Sequence, residues 1–188
     1  MPYSPGRWNG DIVGRTNCYS YAVQFPYEWL HPGSFEQGAP WRFRQRSSAK
    51  TGLDYRVYDG LSAALLRDGL VPLPLSLDGE LPDVPDGHFL IAAALLPEKD
   101  FHFYLKHCDG SWSHKVGHWS VVKRHMSSDP RCYCQADGYP HFAGFYAVSA
   151  ELVVRRSAEA SQDWWRSPTE AETTSPAVAG DVGVGGRG

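Results

Sequence analysis

The nine residues from His88 to Leu96, His-Phe-Leu-Ile-Ala-Ala-Ala-Leu-Leu, constrain this chain most. A short apolar run with no polar face reads as a strand covered on both sides, at the centre of a sheet. The next twenty residues are punctuated as an antiparallel meander. Pro97-Glu98-Lys99-Asp100 reads as a turn, Phe101 to Lys106 as a second strand, Cys108-Asp109-Gly110 as a hairpin turn and Ser111 to Lys115 as a third strand. A last strand is expected over Phe142 to Val154, where Ala143 and Gly144 allow close packing.

The helical signals lie ahead of this meander. Asn17 is a good N-cap, and Cys18 to Gln24 reads as a short helix that Phe25-Pro26 ends. The alternation of Tyr19 and Tyr21 also fits a strand; the Thr16-Asn17 cap and the Pro26 stop favour the helix. Residues 56–68 carry an amphipathic pattern, with Val57, Leu61, Ala64 and Leu65 marking the turns and Gly69 closing the end. Pro72, Pro74, Pro82 and Pro85 then enforce an extended connection. Residues 26–52, rich in Pro and Gly, read as a long excursion of the kind that shapes a cleft. The expected fold is α+β, with N-terminal helices packed on an antiparallel sheet.

With 188 residues, 42% hydrophobic and 21% charged, the chain is long enough for one domain with a real core. Residues 1–156 are read as that domain. Residues 157–188 change to Ala, Glu, Ser, Thr and Gly and are read as a flexible tail, with Trp164-Trp165 able to dock back. A net charge of −3 and a pI near 6.2 argue against nucleic acid as partner. The short basic-aromatic stretch Trp41-Arg-Phe-Arg-Gln-Arg46 does not change that balance. No apolar run approaches the roughly 20 residues of a membrane span. Met1 to Trp8 lacks a secretory pattern, so a cytoplasmic protein, or one exported by another route, is expected.

The chemistry gathers on three residues. Cys18 would open its helix, where unpaired N–H groups and the positive dipole end favour thiolate. His102 and His114 stand twelve positions apart around the Asp109-Gly110 turn, early on one strand and late on its neighbour. In a hairpin such positions lie side by side, so the imidazoles can come within hydrogen-bond reach, with the face each takes left to the register. Nucleophile, base and orienting group are the parts of a thiol hydrolase.

The segment Asp100-Phe-His-Phe-Tyr-Leu-Lys-His-Cys-Asp-Gly-Ser-Trp-Ser-His114, together with Cys18, resembles the catalytic hairpin of NlpC-like, papain-fold cysteine peptidases. The similarity covers residues 16–26 and 87–115. Where that family has Asp-Cys-Ser-Gly, this chain has Asn17-Cys18-Tyr19-Ser20, and Asp100-Phe101-His102-Phe103 replaces Gly-His-Val-Gly. The resemblance implies a papain-like fold, Cys18 as nucleophile, His102 as general base and acid, and His114 as orienting residue. It implies a peptide or peptidoglycan-like substrate and needs neither cofactor nor metal.

Other assignments stay open at this level. His88 is a rival base and Asp100 a rival orienting group. Cys108, Cys132 and Cys134, with His107, His118 or His125, offer soft zinc ligands, although Cys-x-Cys is not the usual knuckle spacing. Asp137-Gly138-Tyr139-Pro140 reads as a plain turn. The same triad serves a deamidase or acyltransferase as well as a peptidase. A non-catalytic module holding peptide or glycan between Trp8, Trp29, Trp41 and Trp112 is the alternative of a different class.

Overall fold

The computed structural model describes residues 8–27, 29–34, 56–76, 78–117, 122–126 and 129–165, the side chains of 162–165 excepted. The Trp41–Arg46 stretch, His118 and residues 166–188 lie outside that set. The architecture is α+β: a six-stranded antiparallel sheet in the order β1-β6-β2-β3-β4-β5, with a few helices. The strands are β1 (Val71–Leu73), β2 (His88–Leu96), β3 (Asp100–Lys106), β4 (Trp112–Lys115), β5 (Val122–His125) and β6 (His141–Ser149). The helices are α1 (Asp11–Arg15), α2 (Cys18–Ala22), α3 (Tyr58–Arg67) and α4 (Ala150–Trp165).

The apolar run takes the expected central place. β2 is paired on one side with β3, Ala94 opposite His102, and on the other with β6. Its side chains alternate between two cores. Phe89, Ile91, Ala93 and Leu95 meet α2, α3 and α4, while Leu90, Ala92 and Ala94 meet Tyr104, Trp112, Phe145 and Cys134. A bulge interrupts the β2–β6 register: Ala93 lies opposite Gly144 but Ala94 opposite Phe142, which leaves Ala143 as the extra residue. Gly144 has φ 131°, a value that its lack of a side chain allows.

α2 forms where Asn17 caps it. The Asn17 Oδ1 accepts from Ser20 N–H at 2.9 Å, and its amide donates to the Leu30 carbonyl at 2.7 Å. The helix packs on β3 and β4, with Tyr19 against Phe103 at 4.8 Å between ring centres. α3 ends as its sequence indicates, with Gly69 at φ 81° and Leu70 N–H bonding back to the Leu65 carbonyl. Asp68, just beyond it, is buried and accepts from the Tyr19 hydroxyl at 2.7 Å and from Gly33 N–H at 2.6 Å.

Three features depart from the sequence reading. The last strand stops at Ser149 instead of Val154, because Ser149 Oγ accepts Leu152 N–H at 3.3 Å and starts α4. That helix runs through Trp165, past Ser157 where the tail was expected to begin, and buries Leu152, Val153, Arg156 and Ala160 along one side. Two short edge strands, β1 and β5, complete the sheet where only connections were expected. Among the described residues no helix is long and apolar enough to cross a membrane.

Candidate active site

The two faces of β3 set the site. Phe101, Phe103 and Leu105 pack toward α2, so His102 and Tyr104 project from the opposite face. His102 Nε2 meets His114 Nδ1 at 2.5 Å, the rings nearly perpendicular and 4.8 Å apart. The twelve-residue spacing allows this cross-strand meeting, and the register decides it. Tyr139 stacks on the other side of His102 at 4.8 Å and donates its hydroxyl to Asp100 Oδ2 at 2.9 Å.

Cys18 comes from the apolar side. The β3–β4 ladder holds only Leu105 opposite Ser113 and Lys106 opposite Trp112, so the first half of β3 has no β4 partner. Into that opening α2 brings Cys18, whose thiol donates to the Phe101 carbonyl at 3.8 Å. Lys115, buried on β4, ties the approach down through Nζ bonds to the carbonyls of Thr16 at 2.7 Å and Gly117 at 2.5 Å. Cys18 and His102 then line one cavity of about 300 Å³ at the end of the sheet, with Asn17, Trp29, Asp100 and Tyr139. Among the described residues no hydrogen bond joins the sulfur to the imidazole. His102 Nε2 is engaged by His114, and no hydrogen bond among the described residues occupies its Nδ1.

The electrostatics correct one expectation. α2 is five residues long, too short for an appreciable dipole, and its start does not make Cys18 a resting thiolate. Burial pushes the thiol up to about 12 and the Asp100 carboxylate adds to the rise, against backbone groups of Phe103 and Tyr19 and the Lys115 ammonium. Burial, with the charges of His114, His125 and Lys123, holds His102 well below its ordinary value. His114 is lowered mainly by burial, against the pull of Asp137. Burial therefore favours the uncharged form of both groups that line the cavity, the Cys18 thiol and the His102 imidazole.

Behind the pair lies a polar network of which the sequence reading named only His125, as a zinc candidate beside the cysteines. His114 Nε2 meets His125 Nε2 at 3.1 Å. Asp137 Oδ2 lies 3.6 Å from His125 Nε2 and 3.9 Å from His114 Nδ1, and accepts the Tyr104 hydroxyl at 3.0 Å. Tyr133 stacks on His125 at 4.2 Å. The Asp137-Gly138-Tyr139 turn thus supplies two site residues, a role that only its packing against β3 reveals.

The rival assignments separate cleanly. His88 sits at the far end of β2, about 20 Å along the strand from Ala94, and its Nδ1 pairs with the Asp86 carbonyl. Asp100 is at the cavity, but bonds Tyr139 and its neighbour's N–H instead of His102. Cys108 and Cys132 are exposed and Cys134 is buried, and the potential metal-ligand group among the described residues includes none of the three. Trp8 and Trp112 are core residues, fully buried, and offer no cleft surface; Trp29 is exposed, and Trp41 lies outside the described residues.

Compared with known proteins, the chain is 33% identical over 130 residues to insoluble matrix shell protein 1 of Ruditapes philippinarum, an alignment spanning 68% of this chain and 74% of that protein. The chain belongs to that protein's family. No family model and no solved structure matches it.

Proposed function

We propose that the chain is a thiol-dependent acyl-transfer enzyme that opens amide bonds of a peptide substrate, with Cys18 as nucleophile, His102 as base and acid, and His114 as the group that orients it. The observation that carries this reading is the 2.5 Å His102–His114 pair whose outer imidazole shares a cavity with Cys18. The order of parts, cysteine opening a helix packed on an antiparallel sheet and histidines on successive strands, is that of papain-like folds, and we take the fold to be of that kind.

The resting charges dictate the chemistry. A neutral thiol must lose its proton as it attacks, so His102 Nδ1 takes the proton while Sγ bonds to the carbonyl carbon. Imidazolium then returns the proton to the leaving amine as the C–N bond breaks. Water hydrolyses the thioester and restores the thiol. His114 Nδ1 accepts from His102 Nε2–H, which keeps His102 Nδ1 unprotonated, the tautomer that the base needs.

The test is labelling with a peptidyl vinyl sulfone, an electrophile that reacts within a formed site, followed by peptide mapping and assays on peptide and peptidoglycan substrates. Cys18 should be the labelled thiol, and Cys18→Ala and His102→Ala should each lose labelling and turnover. Equal labelling of the exposed Cys108 and Cys132 would refute the reading. The relative's name favours a second one, a structural or binding component of an insoluble matrix. Matrix binding retained by Cys18→Ala, with no turnover by the parent chain, would select it.

A further inference from the structure

We infer that His114, His125 and Asp137 form a binding site for a divalent transition ion of the zinc class, and that occupancy switches off the Cys18–His102 pair. One donor atom from each of the three residues lies within 4.8 Å of the other two. The two Nε2 atoms are 3.1 Å apart, close to the roughly 3.3 Å that separates two nitrogens each about 2.05 Å from a tetrahedral ion. Asp137 Oδ2 is 3.6 Å from His125 Nε2 and 3.9 Å from His114 Nδ1, so the carboxylate must turn toward the Nε2 pair to complete a three-ligand face.

Each ligand is held from behind, as metal ligands commonly are. Tyr104 donates to the Asp137 carboxylate, Tyr133 stacks on His125, and His102 engages the second nitrogen of His114. Two imidazoles and one carboxylate suit zinc, cobalt or nickel. Calcium, which gathers six to eight oxygens, is poorly served by the same set.

The regulatory half rests on the proposed triad. Without an ion, His114 Nε2 carries its proton and Nδ1 accepts from His102. An ion on Nε2 displaces that proton, which passes to Nδ1 of the same ring, so that His114 stays neutral with its one N–H on the other nitrogen. His114 then donates to His102 Nε2, and the His102 proton sits on Nδ1, the nitrogen that serves as base in the proposed mechanism. An imidazole protonated there cannot take the thiol's proton. The metal acts through a tautomer, with no contact to sulfur.

The experiment uses the full chain. Cobalt and zinc are titrated by calorimetry and by cobalt's visible absorption, against His125→Ala, Asp137→Asn and Cys18→Ala, with calcium in parallel and folding checked by thermal melts. Both ligand variants should bind about 100-fold more weakly, while Cys18→Ala and the parent chain bind alike. Zinc should slow vinyl sulfone labelling of Cys18 at least tenfold in the parent chain and leave it unchanged in His125→Ala. Binding that survives both ligand substitutions overturns the site. Binding lost with them, but no effect of zinc on labelling, overturns the switch. A Cys18 that never labels, with or without zinc, removes the hydrolase reading and leaves the metal site standing.

Discussion

The two faces of the sheet solve different problems with the same strands. Toward α2, β3 presents Phe101, Phe103 and Leu105 to a core of aromatic and aliphatic side chains, with buried polar groups paired locally, as where Asp68 receives Tyr19 and Gly33. On the other face the same strand presents His102 and Tyr104 to His114, His125, Asp137, Tyr133 and Tyr139, ring on ring. One face fixes position by excluding water; the other holds protons that can be exchanged among neighbours. Cys18 packs with the first and shares a cavity with His102 of the second, where the β3–β4 ladder stops.

That division can be broken experimentally. Its largest consequence is for Cys18→Ala, which should abolish amide turnover, by at least ~10³-fold, while moving the thermal midpoint little, because a small buried group is replaced by another. Large destabilisation with residual activity would make Cys18 a packing residue only. His102→Ala should lower kcat/KM by about 10²–10³-fold at unchanged expression, the usual weight of a general base.

Asp68→Ala strands the Tyr19 hydroxyl and the Gly33 N–H in the apolar face, so urea denaturation should register a loss of roughly 2–4 kcal/mol. A loss below about 0.5 kcal/mol would mean that the apolar face does not depend on its polar ties. The gentlest test is the alkylation of Cys18 by iodoacetamide in the free protein. With a thiol pushed up to about 12 by burial and Asp100, against Lys115, its rate should climb about tenfold per pH unit from pH 7 to 10. A plateau across neutral pH would reveal a standing thiolate–imidazolium pair.

The sequence made the local decisions legible. The Asn17 cap, the Gly69 stop, the Asp109-Gly110 turn and the apolar β2 run each state their structure within a few residues, and a turn and a count allow the His102–His114 meeting. Long-range decisions were hidden. Val71-Pro72-Leu73 is a strand only because β6 offers an edge, and Val122 to His125 reads as a polar loop until β4 pairs with it. Ala150 to Val154 is apolar and β-branched enough to extend a strand, yet the Ser149 cap and the burial of Leu152, Val153, Arg156 and Ala160 make it helix. For the same reason Asp137 and Tyr139 carry no sequence signal as site residues, and His125 carries one only as a zinc candidate beside the cysteines: the return of two distant segments onto β3 gathers them.

The extra residue at Ala143 has a consequence for how this strand tolerates change in length. Phe142 and Phe145, an odd number of positions apart, would ordinarily point to opposite sides, but here both rings lie beneath Trp112 and Leu90 and meet at 4.9 Å. Ala143 works as a phase shifter, so that β6 obeys one rhythm before it and the inverse after. Removing one methyl-bearing residue would therefore turn a whole phenylalanine inside out, next to the alanine that backs His102. In β6, the count of residues carries as much information as their kind.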